Sequence, residues 1–154
     1  MRSAAYIGID PGASGAVALI SDDVVLVEDW PGDPVAAADL LRGWLVEYRI
    51  TLAALERVAS RPGQGVASVF RFGENFGCWQ GLLAALSIPH TLPTPQCWQK
   101  GLVVPSDGPD PKARSLAVAR RMFPSVDLHR KKDHGKADAL LLALHAKNAH
   151  KPGG

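Results

Sequence analysis

The chain has 154 residues, 47% of them hydrophobic and 21% charged, with a net charge of +2. These values suit one globular domain with a sizeable core and exclude a disordered or low-complexity protein. No run approaches the ~18 apolar residues that span a bilayer. The two cysteines, Cys78 and Cys97, are too few for a disulfide framework and have no histidines near them at zinc-ligand spacing. Residues 1–5 lead straight into an apolar run without a secretory pattern. A reduced, cytoplasmic setting with no membrane partner is expected.

The first apolar run, Tyr6-Ile7-Gly8-Ile9-Asp10, ends on a carboxylate, and Pro11-Gly12-Ala13-Ser14-Gly15 follows as a turn. A second run, residues 16–20, leads away, which predicts a β-hairpin with Asp10 at its mouth. Asp10 has two readings here. Asp-Pro-Gly is ordinary turn chemistry, yet the small residues beside Asp10 leave room for a metal ion or a phosphate. Residues 24–27 read as a third strand. Asp33-Pro34 then reads as an N-cap with proline at the first helical position, opening a helix through about Tyr48.

The run Leu52-Ala53-Ala54-Leu55-Glu56-Arg57 predicts a strand that leads to a second carboxylate, Glu56. A polar loop, residues 60–65, precedes a long helix over residues 68–86. Gly73, Gly77 and Gly81 recur inside that helix at four-residue spacing, each weakening it by roughly 1 kcal/mol relative to alanine. A face packed closely on another backbone explains their presence, either within this chain or at a dimer interface. Phe70 and Phe72, just past the Glu56 loop, read as core residues, with a base-unstacking wedge as the alternative. Residues 88–92 form a short strand, and Thr94-Pro95 starts a short helix carrying Trp98. Trp79 and Trp98 read as packing residues. Residues 112–123 form a helix, and the last helix covers residues 136–147. Together the elements make an α/β domain, residues 1–150, whose mixed five-stranded sheet has helices on both faces. Residues 151–154 are expected to be a disordered tail.

The last helix carries a third acid. Asp138 stands at the edge of an apolar stripe formed by Ala137, Leu140, Leu141 and Leu144, and His134 lies four residues earlier on the same side. Asp133 can cap the helix. Carboxylates gathered at two strand ends and a helix start repel one another unless cations neutralise them. Hard oxygen ligands without cysteine suit Mg²⁺ or Mn²⁺. Two such ions about 4 Å apart activate water and stabilise the leaving oxygen of a phosphodiester. Basic residues concentrate after Arg57, notably Arg130-Lys131-Lys132 with Lys136, and along Lys112, Arg114, Arg120 and Arg121. That distribution suits a nucleic-acid backbone, although solvated helix faces have the same composition.

The set Ile7-Gly8-Ile9-Asp10-Pro11-Gly12…Gly15, Glu56 closing a strand, and Ala137-Asp138-Ala139-Leu140 early in the final helix resembles the RuvC-type Holliday junction resolvases, especially those of phages. The segments Pro62-Gly63-Gln64-Gly65, Phe72-Gly73 and Pro95-Gln96-Cys97-Trp98 carry the resemblance further, over residues 6–146. The resemblance implies a ribonuclease H-like fold and a homodimer in a bacterial or phage-infected cell. It implies a crossover junction endodeoxyribonuclease that cuts four-way DNA junctions with about two Mg²⁺ or Mn²⁺ ions per site. Asp10, Glu56 and Asp138 would hold the metals. The usual fourth ligand lies three residues before the final acid, where this chain has Gly135, so His134 takes that role, with Asp133 as the alternative. Arg57, Arg61, Lys132 and Lys136 would contact DNA phosphates. Three rivals remain at this point: a broader branched-DNA or RNA–DNA hybrid nuclease, a non-catalytic junction-binding module, and a nucleotide-binding fragment of the actin–sugar kinase type.

Overall fold

A computed structural model describes residues 1–151; the rest of the expected tail lies outside the described residues. Five strands form one sheet in the order β3-β2-β1-β4-β5. They are β1 (Ser3–Asp10), β2 (Ala16–Ile20), β3 (Val25–Asp29), β4 (Tyr48–Leu55) and β5 (His90–Thr91). β1, β2 and β3 pair antiparallel as a meander, whereas β4 lies parallel to β1 and β5 parallel to β4. The mixed sheet expected from the sequence is therefore present.

Helices α1 (Pro34–Glu47) and α2 (Val66–Ala85) cover one face. There Ile7, Ile9, Val17, Leu19, Leu41 and Leu83 pack into one core. Helices α3 (Pro95–Gln99), α4 (Pro111–Met122) and α5 (His134–Ala149) cover the other, where Ala16, Ala18, Ala54, Trp98, Leu116 and Leu140 form a second core. Proline at the first position and a side-chain cap start three of these helices. Asp33 accepts from the N–H of Ala36, Thr94 from Cys97 and Asp110 from Ala113.

Strand alternation decides where the two strand-end acids point. Ile7 and Ile9 go to the α1/α2 side, as do Ala53 and Leu55. The intervening residues therefore face α5, and Asp10 and Glu56 continue that phase. Gly8 lets α5 lie directly on β1: a Cβ there would come within 2.0 Å of the Ala139 carbonyl oxygen and 2.2 Å of the Ala143 nitrogen. This contact brings the start of α5 to the end of β1.

Several expectations change. The stripe on α5 is wider than expected, because Ala139, Leu142, Ala143 and Ala146 are buried as well. The helix is wedged between the sheet and α4, so nearly its whole circumference is covered. In α2 a Cβ at Gly73, Gly77 or Gly81 would meet nothing within 4 Å among the described residues. Close packing within the chain therefore does not explain these glycines. Phe70 is 72% exposed, which removes it from the core. None of the described helices is long and apolar enough to cross a membrane.

Candidate active site

β1 and β4 run parallel with Ile9 beside Leu55, so Asp10 and Glu56 emerge next to each other at the same sheet edge. The Glu56 N–H donates to the Ile9 carbonyl at 3.1 Å, extending the ladder by one bond. Asp10 both opens its turn and faces the site: Oδ1 accepts the Gly12 N–H at 3.1 Å. Glu56 is held by a residue from another element, the Trp98 indole, whose Nε1–H donates to Oε2 at 2.6 Å. The reading of Trp98 as a packing residue describes its ring but misses this bond.

Asp138 comes from the second turn of α5. Its Oδ1 is buried and has no hydrogen-bond partner among the described residues. Ser115, on α4, lies beside this carboxyl and favours its charged form, but does not offset the surroundings. All three acids are half-buried by accessible area, yet each is set deeply enough in protein to feel strong desolvation. Burial pushes Asp138 well above the ordinary carboxylate range, and Asp10 and Glu56 add to the rise. Burial likewise raises Asp10, against the Gly12 bond, His134 and Lys112. Burial, then Asp10, lifts Glu56 from 4.5 to about 7, against the Trp98 bond and Arg61. Asp10 raises both other acids and Glu56 raises Asp138, so the group is short of positive charge.

The donors suit a hard divalent cation: two carboxylates at the carboxyl ends of parallel strands and a third, with an orphaned buried oxygen, on α5. No three such side chains among the described residues already converge on one point.

His134 and Asp133 part company. His134 is half-buried, and its imidazole is lowered by burial and by Lys112 against the pull of Asp10. Its surroundings thus favour the neutral imidazole, the form with a free lone pair, while Asp10 pulls the other way. Asp133 is buried but turned onto Arg130, which gives it the backbone N–H at 2.9 Å, Nη2 at 2.7 Å and Nε at 3.1 Å. These bonds hold Asp133 down at about 2. Asp133 stands at the N-cap of α5 but makes no side-chain cap bond. At Gly135 a Cβ would lie 2.2 Å from the Ser14 carbonyl oxygen, so the β1–β2 turn occupies the space that a side chain would need.

The basic residues divide between two cavities. Arg57 and Arg61 line one of about 560 Å³ with Glu56, Gln64, Phe72 and Gln96. Lys132 lines another of about 210 Å³ with Ser14, Trp30 and Arg130. Lys136 is drawn toward Asp29, 3.9 Å away. Lys112, exposed at the start of α4, acts on Asp10, His134 and Asp138 alike. In the sequence it was only one of several helix cations, 26 residues from Asp138, with no signal tying it to the acids.

Comparison with known proteins bears on the fold. No protein-family model matches the chain. A Chlamydomonas reinhardtii protein named Holliday junction resolvase MOC1, chloroplastic, is 36% identical over 95 residues, which is 60% of this chain and 10% of that protein. The chain thus spans about a tenth of the length of this relative. Thermus thermophilus RuvC in complex with a Holliday junction substrate superposes with a TM-score of 0.61 at 17% identity, over 94% of this chain and 92% of that one. A second T. thermophilus RuvC structure gives 0.58 at 16% identity, over 92% of each chain. The mixed sheet, the helices on both faces and these superpositions give the chain the ribonuclease H-like fold of RuvC.

Proposed function

We propose that this chain is a metal-dependent, structure-selective DNA endonuclease. It resolves four-way junctions by paired phosphodiester cleavage near the branch point, leaving 3′-hydroxyl and 5′-phosphate ends. The observation that carries the reading is the uncompensated acid group, Asp10, Glu56 and Asp138, which includes the orphaned Asp138 Oδ1. Desolvating three acids together is unfavourable in an empty site and favourable in one that takes up cations. The similarity to MOC1 and to junction-bound RuvC supports the choice of substrate.

In this reading Asp10, Glu56 and Asp138 hold Mg²⁺ or Mn²⁺. His134 completes the set, and Asp133 is the alternative that its bonds to Arg130 disfavour. Two such ions, when bound, supply activation of a water nucleophile and stabilisation of the leaving oxygen. The chain's own residues bind and orient the strand. Lys112 lies where it can meet a phosphate brought to the acids, and Arg57, Arg61, Lys132 and Lys136 take flanking phosphates on the two sides. Residues 1–150 act as one nuclease domain. A two-fold homodimer presents two such sites to the two strands of a symmetric junction. The setting is the cytoplasm of a bacterial or phage-infected cell.

The test is cleavage of a labelled four-way junction beside linear duplex and RNA–DNA hybrid, with Mg²⁺, Mn²⁺ or chelator, for wild type and Asp10→Asn. Symmetric paired nicks in the junction, absent with chelator and in the variant, are expected. Equal cutting of all three substrates makes the protein a general nuclease of this fold. Tight junction binding without cleavage under any ion makes it a binding module.

A further inference from the structure

Trp98 is fully buried, and its one polar atom is spent on Glu56. The ring lies in the core shared by α4, α5 and the sheet, with Ala54, Leu116 and Leu140. The two backbones are tied together as well: the Arg57 N–H donates to the Pro93 carbonyl at 2.8 Å, two residues before α3 begins. Thr94 caps α3 through the Cys97 N–H at 3.3 Å. The indole therefore reaches Glu56 from a rigid support on both sides.

A neutral donor does here what a cation cannot. Lysine or arginine at this place would orient the carboxylate but cancel the charge that an ion needs. Indole is donor-only, so it fixes Oε2 and leaves the charge and Oε1 available.

Resting on the nuclease reading above, we propose that Trp98 is a positioning residue, whose indole N–H holds Glu56 in one orientation and confines it to offering a single oxygen, Oε1, to a divalent ion. Hydrogen-bond partners of metal ligands typically change metal affinity by roughly 10- to 100-fold.

Trp98→Phe removes the donor but also leaves a cavity, so the decisive variant replaces Trp98 by 3-benzothienylalanine, which keeps the ring shape and loses only the N–H. Mg²⁺ and Mn²⁺ binding is measured by calorimetry without DNA, together with the melting temperature of the metal-free protein. Junction cleavage is followed as a function of Mg²⁺ concentration. The expected result is metal affinity weakened about tenfold or more, with the half-saturating Mg²⁺ for cleavage rising in parallel. The metal-free melting temperature should stay within about 2 °C of wild type, equivalent to less than about 1 kcal/mol. In the wild type, the Trp98 indole N–H resonance should move as Mg²⁺ is added. An analogue that folds like wild type and binds the ion equally well overturns the role of Trp98 alone. A wild-type protein that neither binds the ion nor cuts any junction overturns the nuclease reading and this proposal with it.

Discussion

Asp133 and Asp138 sit little more than one turn apart at the start of α5 and are opposites. Asp133 is enclosed by donors from Arg130, which hold it at about 2. Asp138 has a buried oxygen with no partner among the described residues, and Asp10 and Glu56 crowd it further. One acid strengthens the fold; the other burdens it. In the proposed function the contrast is between a carboxylate kept for structure and one kept for what it binds.

The largest expected effect comes from neutralising the burdened acid. Asp138→Asn should lower junction cleavage on the order of a thousandfold or more, while the metal-free protein melts at a higher temperature than wild type. A variant that loses activity and stability together would break the comparison. Gly135 is next. Gly135→Asp restores an acid three residues before Asp138, but its Cβ meets the Ser14 carbonyl oxygen at 2.2 Å. It should destabilise the protein by about 1–3 kcal/mol, read from urea unfolding, with no gain in metal affinity.

The neighbours His134 and Asp133 sharpen the contrast. Asp133→Asn should lower the melting temperature by about 3–6 °C and affect metal binding little. His134→Ala should weaken metal binding with little change in melting. Reversed results would make Asp133 the fourth ligand.

The comparison also shows in pH, where the sign of the effect distinguishes the two kinds of acid. Glu56 titrates near 7 in the folded chain instead of 4.5. Between those values the folded state keeps a proton that the unfolded state has released, so metal-free stability should fall as pH rises through this window. Asp10 and Asp138 act in the same direction. Asp133 acts oppositely: its contribution is full above the ordinary 3.8 and is lost as pH falls toward about 2. Thermal melts across pH 4 to 8 should show the downward slope without metal. Saturating Mg²⁺ should flatten it, because ions and protons compete for the same oxygens.

Much of this arrangement was legible in the chain itself. Short apolar runs ending in Asp10 and Glu56 marked two strands and their exits, and Asp-Pro and Thr-Pro pairs marked helix starts, because these signals act between residues close in sequence. The three-acid set was readable for the same reason: each acid interrupts or ends a local apolar pattern. What stayed hidden depends on approach between distant segments. The Trp98 bond to Glu56 spans 42 residues. The closeness of α5 to β1 rests on backbone meeting backbone at Gly8. The commitment of Asp133 to Arg130 is local, yet the burial that makes those bonds weigh against a ligand role comes from the tertiary packing. Local pattern settled which residues carry charge at element ends; only the tertiary packing decided which of those charges would be satisfied.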